Sequence, residues 1–209
     1  MVKLHFLITA GGTREYIDPV RFISNASTGK MGYALARAAI AAGHKVTLVT
    51  CPTNLRPPRQ AKVVDVETGA EMFGAVKKHF NKCDCLIMAA AVADYTPAKK
   101  SKIKIKKGSG PFTLKLKPMP DIVKWAGQNK KKQIVVGFAL EDKAIRANAE
   151  KKLKDKNLDM IIANTPAAIA ADKTSVQVKT STSKWLKPPH TTKLSTAKRI
   201  VHLIEKLTA

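Results

Sequence analysis

The sequence predicts an α/β protein with a Rossmann-like three-layer fold around a mostly parallel central sheet. Short apolar segments alternate along the chain with amphipathic helical segments. The apolar segments are continuously hydrophobic, as strands are when both of their faces are buried. The chain has 209 residues, of which 44% are hydrophobic. We therefore expect one globular domain spanning residues 1–209.

The first half of the chain predicts four strands and two helices. The strands are expected at residues 4–9, 46–50, 63–66 and 86–91. An alanine-rich helix is expected at residues 29–42, where Gly43 would end it, and a second helix at residues 68–80. This alternation predicts βαβ units with right-handed crossovers.

The lysine-dense residues 96–119 interrupt this pattern. Charges and isoleucines alternate over residues 102–106, which is typical of a hairpin strand with one polar face, and Gly108-Ser109-Gly110 lies at the centre of the segment. We expect a β-arm or flap, made as strand–turn–strand, outside the main sheet.

Beyond the flap the alternation returns. Helices are expected from Pro120, over residues 141–156, and at the end of the chain. Strands are expected at residues 134–138 and 160–163, with a small hairpin at residues 175–179 and 183–186. The last helix has one apolar face, made by Leu194, Ala197, Ile200, Val201, Ile204 and Leu207.

The chain is strongly basic, with 38 Lys and Arg against 15 Asp and Glu and a net charge of +23. Such charge suits either nucleic acid or polyanionic small molecules. Aromatic residues make up only 5% and do not interleave with basic ones, so we expect no specific nucleic-acid binding. No apolar run approaches a membrane span, and three cysteines predict neither a disulfide framework nor a zinc site. A cytoplasmic protein that does not bind membranes is expected.

Small and polar residues follow several predicted strands, where ligands bind in open parallel sheets. They are Gly11-Gly12-Thr13, residues 89–94, Phe138 and Asn164. Residues 24–32 precede the first helix, whose N-terminus would favour a phosphate or carboxylate, with donors from Ser27, Thr28 and Lys30. The alternative is a helix start capped by Thr28 or Ser27. The segment is neither a Walker A loop nor a G-x-G-x-x-G motif.

Other charged residues allow two interpretations each. Asp94 suits a metal or ribose contact, or a turn. The lysines of the flap could neutralise a triphosphate or form a solvated face; they are Lys102, Lys104, Lys106 and Lys107. Lys152 and Lys156 lie four residues apart, so they could bind phosphates from one helix face or simply be exposed.

Taken together, these segments resemble the phosphopantothenoylcysteine synthetase family, the synthetase half of the bacterial coenzyme A biosynthesis flavoprotein. The matching segments keep the family's order and spacing up to about residue 176. They are Ile8-Thr-Ala-Gly-Gly-Thr-Arg-Glu15, Ile17-Asp-Pro-Val-Arg21, Ile23-Ser-Asn25, Ser27-Thr-Gly-Lys-Met-Gly32, Ala90-Ala-Val-Ala-Asp-Tyr95, Lys104-Ile-Lys-Lys107, Pro120-Asp-Ile-Val123, Gly137-Phe-Ala139, Lys152 with Lys156, and Ile162-Ala-Asn164.

The resemblance implies a two-step ligase reaction. The carboxylate of 4′-phosphopantothenate attacks the α-phosphate of a nucleoside triphosphate, and the amine of cysteine then attacks the acyl-nucleotide. It also implies Mg²⁺, CTP in preference to ATP as cosubstrate, and a homodimer to which the flap contributes. FMN is not expected, because no decarboxylase half precedes the domain; a separate phosphopantothenoylcysteine decarboxylase is a candidate partner.

The resemblance also implies the site residues. Asn25 and Lys104 would be catalytic, and Asp94 would contact the metal. The phosphopantothenate site would comprise Gly11, Gly12, Asn25, Ser27, Thr28, Gly29 and Lys30. The nucleotide site would comprise Met88, Ala89, Ala90, Asp94, Lys104, Pro120, Asp121, Ile122, Val123, Phe138, Lys152 and Lys156. The sequence departs from the family at Met119, where Asn is usual, at Leu140-Glu-Asp and at Asp172-Lys-Thr-Ser.

Two other classes of function compete with the ligase. A Rossmann-type oxidoreductase would need an acidic residue after the second strand of the fold, and Cys51-Pro-Thr does not supply one. A nucleic-acid-binding module is suggested by the charge alone and would bind duplexes near physiological salt.

Overall fold

The computed structural model describes residues 2–169 and 171–208, with only the backbone described at residue 168. Its elements in chain order are β1 (His5–Ala10), β2 (Arg14–Tyr16), β3 (Phe22–Ser24), α1 (Lys30–Ala41), β4 (Lys45–Thr50), β5 (Lys62–Asp65), α2 (Gly69–Phe80), β6 (Cys85–Met88), β7 (Tyr95–Pro97), β8 (Leu116–Pro118), α3 (Ile122–Asn129), β9 (Ile134–Leu140), α4 (Ile145–Asp155), β10 (Met160–Asn164), a 3₁₀ turn (Pro166–Ala168), β11 (Lys173–Thr174), β12 (Gln177–Thr180), β13 (Thr191–Thr192) and α5 (Lys193–Leu207).

Seven strands form the central sheet in the order β12–β10–β9–β6–β1–β4–β5. All neighbouring pairs are parallel except β12, which pairs antiparallel with β10. From β1 the chain first builds outward through β4 and β5, and then returns to the other side of β1 with β6. This is the order of a doubly wound dinucleotide-type sheet with one added edge strand, which confirms the predicted fold class.

Helices cover both faces of the sheet. Phe6 and Ile8 of β1 are fully buried on the face against which α1 and α5 pack. Leu7, which points the other way, is buried on the face covered by α2, α3 and α4. This burial of alternate residues on both faces explains why β1 is continuously apolar. None of the helices within residues 2–169 and 171–208 is long and apolar enough to cross a bilayer.

The flap differs from its prediction. Its base is a short antiparallel pair, β7 with β8, outside the main sheet as expected. The strand predicted at residues 102–106 is wrong, because that segment has no strand partner among the described residues. The backbone of this segment forms hydrogen bonds with side chains instead: the Ile105 N–H donates to Asp18 Oδ2 at 3.1 Å, and the Ile105 carbonyl accepts from Arg21 Nη2 at 2.7 Å.

Two other boundaries differ for local reasons. The helix predicted from residue 141 begins at Ile145, because the Glu141 N–H donates to the Asn164 carbonyl at 3.0 Å and so continues the pairing of β9 with β10. The hairpin predicted at residues 175–179 and 183–186 is reduced to a single bridge between Val178 and Leu186. Its first predicted strand is instead β12, which pairs antiparallel with β10 at the edge of the main sheet.

Candidate active site

The carboxyl ends of β1 and β6 form the topological switch point of the sheet. β1 and β6 are hydrogen-bonded neighbours, and the chain leaves their ends toward opposite sides. A crevice opens at such a point, and ligands of doubly wound sheets bind in it. We call residues 11–13, Asn25 and residues 89–91 the switch-point crevice. All of its members except Asn25 were singled out at strand ends, and all except Thr13 and Ala91 are site residues implied by the resemblance, so the sheet brings these predicted residues together.

Backbone pairing continues past the strand ends within the crevice. Gly12 and Ala91 form a parallel bridge, in which the Ala91 N–H donates to the Gly11 carbonyl at 2.8 Å and the Thr13 N–H donates to the Ala91 carbonyl at 3.2 Å. A Cβ atom on Gly12 would lie 2.8 Å from the Asn25 carbonyl oxygen. Glycine is therefore required at position 12, because any side chain would displace Asn25.

Two buried threonines hold the loop that follows β6. The Thr9 hydroxyl accepts from the Ala90 N–H at 3.1 Å, and the Thr13 hydroxyl accepts from the Ala93 N–H at 3.0 Å. Both threonines are fully buried. Thr13 was singled out with Gly11 and Gly12 at the end of the first strand, but Thr9 was not predicted as a site residue; the available signal was a polar residue at the end of a continuously apolar strand, close to glycines.

Asn25 reaches the crevice from a small hairpin. β2 and β3 pair antiparallel, and the Ser24 hydroxyl donates to the Thr13 carbonyl at 2.8 Å. The Asn25 amide nitrogen donates to the Ala91 carbonyl at 3.1 Å, while the residue stays exposed. This bond orients the amide and uses one of its two N–H donors, and its oxygen is a potential acceptor for a ligand.

The N-terminus of α1 differs from the capped start that was one of the two interpretations. Its N-cap residue is Gly29, with φ of 76°, and no side chain makes a cap hydrogen bond. Thr28 and Ser27 are therefore not caps, although Ser27 Oγ lies 3.4 Å from the Gly29 nitrogen. A helix N-terminus of this kind suits an anionic ligand, because its N–H groups and the helix dipole favour negative charge. Lys30 follows the cap and pairs with Asp172 at 2.7 Å.

Cys51 borders the crevice but does not offer a nucleophile. A Cβ atom on Gly11 would lie 3.0 Å from Cys51 Cβ, so the two residues are in close contact. Burial, with a smaller contribution from the charge of Glu15, raises the pKa of the Cys51 thiol to about 12. The residue is therefore a neutral thiol at physiological pH.

The flap, which carries Lys104, is fixed by Asp18. The buried Asp18 carboxylate accepts from the side chain of Arg21, from the N–H groups of Val20 and Arg21 at 2.8 Å, and from the Ile105 N–H at 3.1 Å. The Arg21 hydrogen bond in particular holds the pKa of Asp18 well below its usual range. Lys104 lies next to this anchor and is exposed. Asp18 stood in a recognised motif, but its role in holding the flap was not predicted.

The side chain of Lys156, from the C-terminal end of α4, reaches the N-terminus of α3. Asp121 caps α3 by accepting from the Lys124 N–H at 2.9 Å, and Lys156 Nζ donates to its other oxygen at 2.8 Å. Burial alone would raise the pKa of Asp121, but the bonds from Lys156 and the Lys124 N–H outweigh it and the pKa is lowered. Lys152 Nζ pairs with Glu141 at 2.6 Å. The structure thus gives both predicted phosphate-binding lysines a carboxylate partner.

The remaining predicted nucleotide residues differ in how accessible they are. Met88 and Ile122 are buried in the core, so only their backbone is available to a ligand. Val123 and Phe138 are half-buried, whereas Pro120 and Asp94 are exposed. The Asp94 carbonyl accepts from the Met119 N–H at 2.8 Å, which leaves its carboxylate facing solvent.

Comparison with known proteins identifies the family. The model of the DNA/pantothenate metabolism flavoprotein C-terminal domain matches residues 1–207. The coenzyme A biosynthesis bifunctional protein CoaBC of Bacillus subtilis (strain 168) is 49% identical over 168 residues, which are 80% of this chain and 41% of that protein. A protein from an unknown prokaryotic organism, named cysteine/cysteine sulfinic acid decarboxylase, is 54% identical over 160 residues, 76% of this chain and 45% of that protein.

A solved structure gives the same result over the whole chain. The crystal structure of the C-terminal domain of CoaBC superposes with a TM-score of 0.86 and 38% identity, covering 98% of this chain and 95% of that one. The chain spans less than half of the length of the two curated relatives. Its fold, its motifs and this near-complete coverage agree: the chain belongs to the family of DNA/pantothenate metabolism flavoprotein C-terminal domains, as the C-terminal domain of CoaBC does, and the family inferred from the motifs is confirmed.

Proposed function

We propose that this domain is a phosphopantothenate–cysteine ligase of coenzyme A biosynthesis, with CTP as its favoured nucleotide. The observation that carries the proposal is the position of Asn25, which lies on the switch-point crevice. It is supported by the match to the CoaBC C-terminal domain, 95% of which this chain covers. The name decarboxylase describes a relative of which more than half lies outside the match, so it does not point to that reaction here.

The proposed reaction has two steps that share one acyl group. A carboxylate oxygen of 4′-phosphopantothenate forms a bond to the α-phosphorus of CTP, and the bond to pyrophosphate breaks. The cysteine amine then forms a bond to the acyl carbon, loses a proton, and the nucleoside monophosphate leaves. Both steps bring anionic groups together, so the protein acts mainly by positioning and by screening charge.

Asn25 is proposed to hold the acyl-nucleotide. Its amide is fixed by the 3.1 Å bond to the Ala91 carbonyl, and its free donor and acceptor positions do not change charge during the reaction. Gly11, Gly12 and the open N-terminus of α1, with Ser27 to Lys30, would receive phosphopantothenate beside it. Lys104 on the flap would approach the reacting groups when the flap closes.

The nucleotide would lie across the ends of β6 and β9. Among the described residues, no group donates a hydrogen bond to the carbonyl oxygens of Ala89 and Ala90, so they could accept from the exocyclic amino group of cytosine. Phe138 would contact the nucleotide, with residues 120–123 facing the triphosphate. Lys152 and Lys156 would exchange their carboxylate partners for phosphate oxygens.

Magnesium fits this arrangement as a metal held chiefly by the triphosphate. Mg²⁺ keeps several waters and usually takes one or two protein carboxylates in addition to phosphate oxygens. Within residues 2–169 and 171–208 there is no cluster of three metal-ligating side chains, but the exposed Asp94 carboxylate would supply one ligand. The ion would neutralise charge on the phosphates when it is bound.

A homodimer built on the flap is part of the proposal. Large apolar side chains on or beside the flap are exposed, with Tyr95 at 56%, Ile103 at 76%, Phe112 at 63% and Leu116 at 42%. Apolar residues grouped in this way are typical of protein interfaces. Whether a separate decarboxylase also binds this domain stays a prediction.

Pyrophosphate release tests the function. The chain is incubated with 4′-phosphopantothenate, cysteine, Mg²⁺ and either CTP or ATP, and pyrophosphate is followed with time. We expect release that requires phosphopantothenate and is faster with CTP. Faster release with ATP would overturn the nucleotide preference alone, whereas no release with either nucleotide would overturn the ligase.

A further inference from the structure

A second cavity lies at the opposite, amino-terminal edge of the sheet. Its volume is about 570 Å³, which falls in the range of about 300–1,000 Å³ typical of small-molecule sites. It is far from the switch-point crevice, because parallel strands separate the two edges. The first residues of β4 and β5, Lys45 and Lys62, line it together with Lys3 and His5.

The strand register places these cations on one face. His5 is the register partner of Lys45, and Thr47 is the partner of Lys62. His5 Nε2 lies 2.9 Å from the Thr47 hydroxyl, so these side chains share a face of the sheet. Lys45 is two residues from Thr47 and therefore shares that face as well. We call Lys3, Lys45 and Lys62 the amino-edge lysines.

The cavity has an excess of positive charge. Within residues 2–169 and 171–208, no carboxylate lies within ion-pairing distance of the amino-edge lysines. Two carboxylates bond histidines that line the cavity: Glu205 pairs with His44 at 2.9 Å, and Asp84 accepts from the His5 N–H at 2.8 Å, but neither pairs with an amino-edge lysine.

His79, on α2, lies within reach of the charges of Lys62 and His5. Burial, followed by the charges of Lys62, Lys78, Lys82 and His5, lowers its pKa. Cations from α2 and from the loop after it therefore face the same region as those of the strands. Like charges at close range repel one another, and a bound polyanion would relieve that repulsion.

We propose that the amino-edge cavity binds a small ligand through a di- or triphosphate group, with the amino-edge lysines as its cationic contacts. Lysine is a common point-charge partner of phosphate. The lining contains no phenylalanine, tyrosine or tryptophan, so it offers no stacking platform for a base. The cavity would therefore recognise the phosphate chain of the ligand and not a base. This site is separate from the proposed ligase site and does not depend on it.

Backbone amide NMR on the 209-residue chain tests the proposal, with inorganic tripolyphosphate and CTP as separate probes at about 50 mM salt, where screening is moderate. Amides of Thr47 and Lys62 report the amino-edge cavity, and amides of Gly12 and Lys30 report the switch-point crevice. We expect saturable shifts at the first pair with tripolyphosphate. If CTP also shifts the amide signals of Thr47 and Lys62, the site recognises the phosphate chain whether it is free or part of a nucleotide.

The variant K3Q/K45Q/K62Q is expected to weaken the amino-edge response by at least about tenfold, because it removes three charge contacts. It should leave the response at Gly12 and Lys30 unchanged. A matched control, K184Q/K187Q/K198Q, removes the same charge from exposed lysines outside the cavity and should behave as wild type. No shift at Thr47 and Lys62, or equal weakening in the control, would overturn the proposal.

Discussion

Two parts of the carboxyl edge are built in different ways. The switch-point crevice is held by backbone pairing and by hydroxyls that are fully buried, such as those of Thr9 and Thr13. The two lysines of α4 that are proposed to bind phosphate are instead held by half-exposed ion pairs, Lys152 with Glu141 and Lys156 with Asp121. The crevice is fixed before substrate arrives, whereas the lysines can change partner. Substitutions should therefore affect catalysis in the first region and nucleotide affinity in the second.

The largest effect is expected from Asn25→Ala. The variant loses the donor and the acceptor that are proposed to contact the acyl-nucleotide, so kcat should fall by about 10²–10³-fold, as for other preorganised polar groups. Asn25 is exposed, so the free energy of unfolding should change by less than about 1 kcal/mol. Steady-state pyrophosphate release and urea unfolding check both values.

Asn129→Ala is the matched control for that substitution. Asn129 is also exposed and also donates to a backbone carbonyl, that of Trp125 at 2.8 Å, but it lies at the end of α3. The control should keep the wild-type kcat. Equal rates in the two variants would show that Asn25 has no special role.

Gly12→Ala should have the next largest effect. The new Cβ would lie 2.8 Å from the Asn25 carbonyl, so the hairpin end must shift. We expect kcat to fall at least tenfold and stability to fall by about 1–3 kcal/mol, as in other overpacked sites. Kinetics and urea unfolding are the measurements.

Gly74→Ala provides the comparison for the glycine substitution. A Cβ at Gly74, inside α2, would meet nothing within 4 Å. Alanine favours a helix interior over glycine by about 1 kcal/mol, so this variant should be slightly more stable and fully active. A fully active Gly12→Ala would mean that the crevice tolerates a displaced Asn25.

Lys156→Gln should act on the nucleotide rather than on the chemical step. The KM for CTP is expected to rise by about five- to tenfold with a small change in kcat, because one charge contact is worth about 1 kcal/mol. Lys151→Gln, on the same helix and exposed, is the control and should leave the KM unchanged. A loss confined to kcat would place Lys156 at the reacting groups instead.

The smallest effect is expected from Asp18→Asn, through the flap. The Ile105 amide should exchange faster with solvent, and kcat/KM should fall a few-fold. The Arg21 bond lowers the folded-state pKa of Asp18 below its usual 3.8. Its stabilising contribution is therefore present above about pH 4 and is lost as the pH falls toward the folded value.

Urea unfolding between pH 5 and 3, a range that spans the usual aspartate pKa of about 3.9, checks this sign. The wild type should lose stability more steeply than Asp18→Asn as the pH falls. Asp142→Asn, which removes an exposed carboxylate, should keep the wild-type slope. Identical slopes in wild type and Asp18→Asn would contradict the anchoring role of the carboxylate.

The difference between the two regions also explains what the sequence could predict. The mostly parallel sheet and the grouping of Gly12, Asn25 and Ala90 followed from apolar runs, strand ends and recognised motifs. The prediction of a strand at residues 102–106 was wrong, because the Ile105 N–H donates a hydrogen bond to the carboxylate of Asp18, 87 residues away. The alternation of residue types carries no information on such a partner. The carboxylate partners of Lys152 and Lys156 could likewise not be predicted from the sequence, because surface ion pairs depend on how the elements pack together in the fold.

The central claim is that the switch-point crevice holds an acyl-nucleotide formed before cysteine reacts. A rapid-quench experiment with CTP, Mg²⁺ and 4′-phosphopantothenate, but without cysteine, measures it directly. We expect a burst of about one pyrophosphate per chain, followed by CMP release when cysteine is added, which is the behaviour of an accumulating intermediate. The burst should be slowed at least tenfold in Asn25→Ala and unchanged in Asn129→Ala. Ligation by the wild type without any cysteine-independent burst, or a wild-type burst in Asn25→Ala, would contradict the claim.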